Sequence, residues 1–531
     1  MKKVCSIIIS ILLLVGMLPA AVVTADTYGI LTYVIADGEV TITGYDRGAW
    51  PSAVTIPATI EGCPVTAIGD GAFAECYSLG AVTIPDSVVS IGARAFYYCD
   101  CLSDIRIPDS VVSIGDSAFE GCYFLSDLTV GNKVATIGKA AFRSCAFLKT
   151  VDIPDSVATI GDEAFYGCNS LRSVSLGGGV TTIGKDAFYS CGALTAVDIP
   201  DGVRTIGEGA FSHCNALTTV TVADGVVSIG DGAFRACDSL TAVTLGEGVA
   251  TIGASAFFGC YSLSALTLGG GVTAIGEGAF ADCYYLKEVV YGGTVAQAQA
   301  IAVGADNDAL TTAVWHSGDL RFGATGACRW VLDAQGRLTV SGNGAMKDYT
   351  NTDSAPWGTA VTAVTIEVGV TAIGEEAFAY CDGLTAVELP GSVTAIGMAA
   401  FLHCDALEAV TLGYVTAIGD AAFHYCTALT DVYYVGNTED RNTIAIGTLN
   451  DLFIDATWHY DVIPAPDHVP GDADGNGDVN NRDLALLQQY INGWEVSPNV
   501  DACDVDGNSD VNNRDLALLQ QYINGWDVIL K

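Results

Sequence analysis

The chain has 531 residues, enough for several domains or for one long array of repeats. Its 61 acidic and 22 basic side chains give a formal charge of −39 at pH 7, so nucleic acids and anionic membranes are poor partners. Half of the residues are hydrophobic, which excludes a disordered acidic chain.

The first 25 residues have the pattern of a secretory signal peptide. Lys2 and Lys3 precede an apolar stretch from Val4 to Val23, and Val23-Thr24-Ala25 is a suitable cleavage site before Asp26. No later apolar run is long enough to cross a bilayer. We therefore expect an exported, extracellular protein without membrane insertion, held at a cell surface, if at all, through a partner. Residues 26–64 are expected to form an N-terminal β cap.

A 23-residue repeat fills the middle of the chain. An Ile-Gly pair precedes each repeated phenylalanine, a cysteine follows three residues later and a leucine three residues after that. The phenylalanines are Phe73, Phe96, Phe119, Phe142, Phe165, Phe188, Phe211, Phe234, Phe257 and Phe280. This period predicts a leucine-rich solenoid, in which stacked turns share one core. The first solenoid block, with its C-terminal cap, is expected over residues 65–316.

One repeat predicts one short strand. Val82 and Ile84 alternate with Thr83, as in a strand with one face inward. Pro85 stops this strand in a turn, and the segment from Ile91 to Phe96 is expected to be a second turn that places the ring inside. Stacked turns would then form a parallel sheet.

A shorter second block repeats this organisation. Phe378, Phe401 and Phe423 are each followed by the repeat cysteine, and the last step is 22 residues, with the missing residue near Gly413-Tyr414. Residues 301–316 match residues 444–459 at a constant offset, which predicts a cap on each block. We expect a β leader at 317–359, the second block with its cap at 360–460 and a Pro-rich linker at 461–470.

These motifs resemble those of the BspA-like leucine-rich repeat proteins (LRR type 5), a family of bacterial surface and secreted proteins. The resemblance covers most of residues 40–460. It implies a β-rich solenoid with a parallel strand sheet, here in two blocks.

Thirteen of the 18 cysteines occupy one repeat position. A small, weakly polar side chain suits a buried site next to phenylalanine, so we expect a ladder of reduced, buried thiols rather than disulfides. Cys63, Cys101, Cys328 and Cys503 lie outside the ladder, and their pairing is left open.

The C-terminal segment contains two calcium-loop patterns. The sequence DVNNRDLALLQQYINGW occurs at 478–494 and again at 510–526, each time after an oxygen-rich start. Ca²⁺ prefers six to eight oxygen ligands at alternating positions of such a loop. The predicted ligands for two ions are Asp472, Asp474, Asn476, Asp478 (through its carbonyl), Asn480 and Asp483, then Asp504, Asp506, Asn508, Asp510 (through its carbonyl), Asn512 and Asp515. The sixth loop position is Gly477 in one loop and Ser509 in the other, so the second site is expected to be weaker.

Residues 471–531 resemble a type I dockerin, a small all-α module with two calcium-binding loop-helix motifs that are EF-hand-like. The resemblance implies Ca²⁺-dependent binding to a cohesin module of a scaffold, as in a cellulosome. It also implies that Asn481 and Arg482, and equally Asn513 and Arg514, face the cohesin. Because the two halves are alike, the module is expected to bind in either of two orientations.

Catalytic motifs do not emerge from the sequence. No nucleophile elbow, metalloprotease helix or phosphate loop is present, and the repeated aspartates after proline have the spacing of turn residues. The residues at the outward strand positions, from Thr83 to Val290, are small, polar and mixed. We expect the tyrosines near the Phe-Cys segment to be half-buried packing residues: Tyr77, Tyr97, Tyr98, Tyr123, Tyr166, Tyr189, Tyr261 and Tyr284.

The sequence therefore predicts a secreted, non-catalytic protein with a scaffold-docking module and a solenoid that binds an extracellular protein or polysaccharide. The resemblance associates it with polysaccharide catabolism. Two alternatives remain: an adhesin for host or microbial proteins, and an unrecognised glycoside hydrolase.

Overall fold

The computed structural model describes residues 26–350 and 352–462, and in the C-terminal segment residues 479, 484, 486–488, 491, 503 and 511–523. The predicted signal peptide lies outside these residues, as does most of the predicted linker. The chain divides into two compact units, at Ala313/Val314. None of the described helices is long and apolar enough to cross a membrane.

A β meander begins the first unit. Strands β1 (Asp26–Tyr28), β2 (Leu31–Ala36) and β3 (Glu39–Tyr45) pair antiparallel in sequence order. β3 then pairs in parallel with β6 (Cys63–Ile68), which also pairs with β5 (Thr59–Ile60). The meander thus supplies the first strand of the solenoid, and the Tyr45 ring stacks 5.9 Å from Phe73 at the start of the core.

Each turn of the solenoid contributes two strands, where the sequence predicted one. The outer strands, which carry the predicted alternation, are β4 (Ala53–Thr55), β7 (Ala81–Thr83), β9 (Asp104–Arg106), β11 (Asp127–Thr129), β13 (Thr150–Ile153), β15 (Ser173–Leu176), β17 (Ala196–Ile199), β19 (Thr219–Val222), β21 (Ala242–Leu245), β23 (Ala265–Leu268) and β25 (Glu288–Tyr291). The short strands are β8 (Ser90–Ile91), β10 (Ser113–Ile114), β12 (Thr136–Ile137), β14 (Thr159–Ile160), β16 (Thr182–Ile183), β18 (Thr205–Ile206), β20 (Ser228–Ile229), β22 (Thr251–Ile252), β24 (Ala274–Ile275) and β26 (Ala302–Val303).

The short strands form the continuous parallel sheet of the unit, from β3 through β6 and β8 to β26. Their register advances by one repeat per strand, as in Ile91↔Ile114. The outer strands also pair in parallel, in the groups β4–β7, β9–β11, β13–β15 and β17 to β25. The turn that was predicted from Ile91 to Phe96 therefore begins only after Ile91. In each repeat, the isoleucine of the Ile-Gly pair and the residue before it belong to a short strand of the parallel sheet.

The glycine of each Ile-Gly pair lets successive turns approach closely. A Cβ atom on Gly115 would lie 2.6 Å from the backbone nitrogen of Ala93 in the preceding turn. The same short contact would arise at Gly184, 2.6 Å from the nitrogen of Asp162. Any larger residue would push the turns apart and lengthen the hydrogen bonds of the short-strand sheet.

The core is a stack of aromatic rings beside a row of thiols. Successive repeat phenylalanines of the first unit are fully buried and stack with centroids 5.0–5.3 Å apart. Each repeat cysteine from Cys99 to Cys283 donates a hydrogen bond to the carbonyl of the phenylalanine in the preceding turn, over 3.1–3.3 Å. Burial raises the pKa of these thiols, to about 12 at Cys168 and Cys214. The predicted ladder of buried thiols is confirmed in geometry.

The second unit starts with its own β meander. It comprises β27 (Val314–Ser317), β28 (Leu320–Thr325), β29 (Cys328–Leu332) and β30 (Arg337–Gly342), all antiparallel neighbours. Trp330 and Trp357 are buried with their rings 5.7 Å apart, and Trp357 stacks on Phe378 at 5.8 Å. Trp357 thus opens the second phenylalanine stack.

The turns of the second unit follow the same plan. The outer strands are β32 (Ala363–Ile366), β34 (Ala386–Glu388), β36 (Ala409–Leu412), β38 (Asp431–Tyr434) and β40 (Thr457–His459). The opposite sheet has β31 (Gly344–Ala345), β33 (Val370–Ile373), β35 (Ala395–Ile396), β37 (Ala417–Ile418) and β39 (Ala445–Ile446) in that order. Phe423, the last phenylalanine of the repeat, stacks on Phe453 at 4.5 Å.

Two short helices occur at the end of each unit, the first just before the segment that was predicted to be a cap and the second within it. They are α1 (Val295–Gln299) and α2 (Asp308–Thr311) in the first unit, and α3 (Thr438–Arg441) and α4 (Asp451–Asp455) in the second. A buried asparagine precedes the second helix of each pair, Asn307 and Asn450. The Asn450 side chain accepts a hydrogen bond from the Phe423 amide at 3.0 Å and donates to the Gly419 and Gly447 carbonyls. Asn307 makes the equivalent bonds to Phe280, Gly276 and Gly304.

Candidate functional sites

The C-terminal module is described in part. Helix α5 (Asn513–Ile523) begins within the second predicted calcium loop, whose last predicted ligand is Asp515. Leu487, Cys503 and Leu519 are fully buried together in a small core of their own. The duplicated LALL segment therefore supplies one buried leucine from each copy.

Of the predicted calcium ligands, only Asn512 and the backbone of Asp515 belong to the described residues. The Asn512 side-chain oxygen accepts a hydrogen bond from the Arg514 amide at 2.9 Å, at the start of α5. The other ten predicted ligands lie outside the described part of the chain. Within that part, no group of three or more His, Cys, Asp or Glu side chains has the geometry of a metal site.

Of the residues implied to face a cohesin, Arg514 is exposed on the first turn of α5. Asn513 opens the same helix. Asn481 and Arg482 lie outside the described residues. An exposed arginine has five donors in a fixed fork, which suits carboxylate or carbonyl groups of a protein partner.

The outward row of the first solenoid unit lies on the surface, as the strand alternation predicted. It is exposed at Thr83, Arg106, Thr129, Asp152, Ser175, Asp198, Thr221, Thr244 and Val290, and half-buried at Thr267. Around Arg106, between β7, β9 and β11, is a shallow depression of about 290 Å³. The Arg106 guanidinium lies 3.7 Å from the Asp86 carboxylate, and both side chains are largely exposed, so this ion pair contributes little to stability.

The tyrosines near the Phe-Cys segment are divided between two environments. Tyr97, Tyr166 and Tyr189 are half-buried, as predicted. The same prediction was wrong for five others, which are exposed: Tyr77, Tyr98, Tyr123, Tyr261 and Tyr284. Four of them stand directly after the repeat cysteine, and Tyr98 stands directly before it. At these positions the chain turns outside the core.

Two exposed phenylalanines were missed by the sequence analysis. Phe124 and Phe147 are 51 % and 43 % exposed, and both rings contact Tyr123. The signal was present in the repeat alignment, because both residues stand two positions after the cysteine, where most copies have Ser, Ala or Gly. We call Tyr123, Phe124 and Phe147 the aromatic patch.

Three of the described histidines contact neighbouring side chains of the fold. Nε2 of His459 lies 2.7 Å from Oδ1 of Asp431 while its ring stacks on Tyr433, and this bond lowers the pKa of the Asp431 carboxyl. His403 is stacked between Tyr380 and Tyr425. Ser212 Oγ contacts the ring of the adjacent His213, but it also donates to the Arg235 carbonyl. The Ser212 hydroxyl is buried, so a substrate does not reach it.

Comparison with known families assigns both parts of the chain. The BspA type leucine-rich repeat region matches residues 66–195, 181–302 and 354–449, together more than half of the chain. The dockerin type I domain matches residues 470–524. No curated protein matches the chain.

Solved structures of bacterial leucine-rich repeat proteins are similar to this chain. One from Bacteroides ovatus is 25% identical, with 82% of this chain and 99% of that chain covered and a TM-score of 0.45. A leucine rich cell surface protein from Faecalibacterium prausnitzii is 26% identical, with 80% and 98% covered and a TM-score of 0.38. The two-unit solenoid and the matched repeat regions establish the family: the chain belongs to the BspA-type leucine-rich repeat proteins and carries a C-terminal dockerin type I domain.

Proposed function

We propose that this protein is a secreted docking protein whose dockerin binds a cohesin module in a Ca²⁺-dependent manner while its solenoid presents a recognition surface. Leucine-rich repeats and a dockerin domain together support a non-catalytic, protein-binding role. The observation that carries the proposal is the sequence DVNNRDLALLQQYINGW, present twice, each copy preceded by an oxygen-rich loop.

Calcium acts in this proposal by folding the module. The predicted ligand set is rich in carboxylate and amide oxygens, which Ca²⁺ prefers. Two bound ions would hold both loops against the small core of Leu487, Cys503 and Leu519. Because ligand binding to the folded form stabilises it, calcium removal would unfold the module and abolish cohesin binding.

The experiment is a calorimetric titration of the full chain with a panel of cohesin modules, in Ca²⁺ and in a chelator. We expect binding in Ca²⁺ alone, and its loss in the variant Asp472→Ala/Asp504→Ala. Calcium titration of Gly477→Ser and Ser509→Gly should also shift the affinity of one site each, downward and upward respectively. Equal affinities of the two native sites would contradict the expected weaker second loop.

The two orientations are separable by paired variants. Asn481→Ala/Arg482→Ala and Asn513→Ala/Arg514→Ala should each retain cohesin binding, since the unchanged half still offers its contact residues. The fourfold variant should lose at least tenfold in affinity. Loss of binding in one double variant alone would contradict two equivalent orientations, and chelator-resistant binding would contradict the proposed mechanism altogether.

A further inference from the structure

The aromatic patch departs from the repeat that surrounds it. Two positions after the repeat cysteine, ten turns have a small residue: Ser78, Cys101, Ser170, Ala193, Ala216, Ser239, Ser262, Gly383, Ala406 and Ala428. Phe124 and Phe147 occupy this position in adjacent turns. Tyr285 is the remaining aromatic residue at this position, in the last turn of the first unit. Since ten other turns close with a small residue, the fold does not require an aromatic ring here.

The three rings form one cluster on the surface. The centroids of Tyr123, Phe124 and Phe147 are mutually 5.3 Å apart, and the three side chains are 43–51 % exposed. The Phe147 amide donates to the Tyr123 carbonyl, and the Phe124 amide donates to the Asp100 carbonyl, each at 3.2 Å. The backbone of the solenoid therefore holds the three residues side by side, and the rings contact one another before any partner binds. An exposed aromatic cluster is typical of an interaction site.

Ring geometry indicates which kind of ligand fits. The planes of Phe124 and Phe147 are inclined to Tyr123 by 89° and 66°, so the cluster offers no flat platform for stacking a sugar ring. Two of the three rings also lack a polar group that would bind sugar hydroxyls. A cluster of inclined apolar rings fits an apolar side chain that projects from a protein.

The charges of this chain indicate which residues would surround that apolar side chain on the partner. Asp127 follows Phe124 by three residues on β11, its register partner on the neighbouring strand β9 is Asp104, and both are exposed. Arg106 is close to the Asp86 carboxylate, and Lys149 is the cation that follows Phe147. With a formal charge of −39 on the whole chain, a partner with a basic rim is complementary, and a second copy of this chain is repelled.

We propose that Tyr123, Phe124 and Phe147 form the docking surface for a protein partner that presents an apolar side chain within a basic rim. This inference rests on the proposed role of the solenoid as a recognition surface and names the residues and the partner chemistry. It does not depend on the cohesin contact, which belongs to the C-terminal module.

The test uses the full chain and a variant built from the repeat itself. Tyr123→Asn, Phe124→Ser and Phe147→Ala introduce residues that other turns have at these positions, namely Asn169, Ser170 and Ala193. We therefore expect the triple variant to fold with an unchanged melting temperature and to bind cohesin as before. The matched control is Tyr284→Asn/Tyr285→Ser, which removes two rings that are 62 % and 68 % exposed in the last turn of the same unit.

Displayed random peptides of about twelve residues serve as the probe, selected on the full chain. The proposal expects peptides with an aromatic or large aliphatic residue flanked by Lys or Arg. Their affinity should fall at least tenfold in the triple variant and stay unchanged in the control, with a steep decrease as salt is raised.

Three results would overturn the proposal. The first is that the selected peptides lack basic residues, or that they bind the triple variant as tightly as the native chain. Another is binding of xylan or cello-oligosaccharides that the triple variant abolishes, which would assign the patch to sugars. The third is a concentration-dependent dimer of the native chain that the triple variant abolishes, which would assign it to self-association. Failure of the proposed cohesin-docking function can be distinguished from these three results, because the native chain would then not bind a cohesin module.

Discussion

A single buried asparagine ends each stack of turns. Inside the array, the amide of each repeat phenylalanine donates to an alanine carbonyl of the next turn, as from Phe257 to Ala279 at 2.7 Å. The last turn has no such successor, and the side-chain oxygen of Asn450 accepts the bond from Phe423 instead. Asparagine suits this position because its amide group carries both an acceptor and two donors.

Replacement of Asn450 by alanine should destabilise the second unit by about 2–4 kcal/mol. The change leaves the Phe423 amide and the Gly419 and Gly447 carbonyls without their side-chain partner, and each buried group left so costs about 1–3 kcal/mol before water enters. Chemical denaturation measures the loss, and faster hydrogen exchange at Phe423 should accompany it.

The matched control for Asn450 is Asn442→Ala, which alters an exposed residue at the end of α3. We expect a change within about 0.5 kcal/mol there. An equally small effect at Asn450 would mean that the end of the stack is held by Phe453 and its neighbours rather than by the asparagine.

At the scale of an element, the repeated turn combines one outer strand, one short strand and a core pair of phenylalanine and cysteine. Each cysteine thiol bonds to the carbonyl of the turn before it. A disulfide between neighbouring turns would remove these bonds, so the reduced form fits the observed geometry. A thiol is also small enough to let the rings stack at about 5 Å.

Thiol alkylation of the native protein should therefore divide the described cysteines into two groups. Cys101 is exposed and Cys63 half-exposed, so both should react within minutes at pH 8. Burial and the raised pKa protect Cys168, Cys214 and the other ladder thiols, which should react only with the rate of unfolding. Mass spectrometry of the alkylated peptides gives the pattern, and rapid alkylation of any interior ladder cysteine would refute it.

The sequence was sufficient for the parts of the turn that repeat. The 23-residue step located the phenylalanine stack and the thiol ladder, because a periodic position on one face must be buried in every copy. The short strands were missed since two residues carry no alternation that distinguishes them from a turn. The exposure of Tyr123 and Tyr284 was missed because aromatic residues next to a buried segment are usually packed on it. The calcium loops, by contrast, depend on spacing alone, and their ligands remain a prediction.

At the scale of the whole molecule, charge is the dominant feature. With 61 acidic and 22 basic side chains, most carboxylates have no cation to pair with. Contacts such as Lys185 to Glu208, at 2.7 Å, are exposed and too few to offset the repulsion.

Salt should stabilise the folded chain. Raising NaCl from about 10 mM to about 150 mM shortens the screening length from about 30 Å to about 8 Å, which weakens repulsion among carboxylates more than it weakens the few ion pairs. We expect the melting temperature to rise by a few degrees, on the order of 3–8 °C, in calorimetry with a chelator present throughout. The chelator separates this effect from calcium binding. A melting temperature that stays flat or falls with salt would show that ion pairs outweigh the repulsion.

The uniform step of the first block has a consequence for how such a molecule changes over generations. Because each turn meets its neighbours through the same ring, thiol and backbone bonds, exchange between any two copies within the gene would add or remove whole turns and leave both ends of the array intact. The length of the array would then change in units of one turn, independently of the residues that close its two ends. A patch confined to two adjacent turns, such as that of Phe124 and Phe147, would change its position in the array together with those two turns.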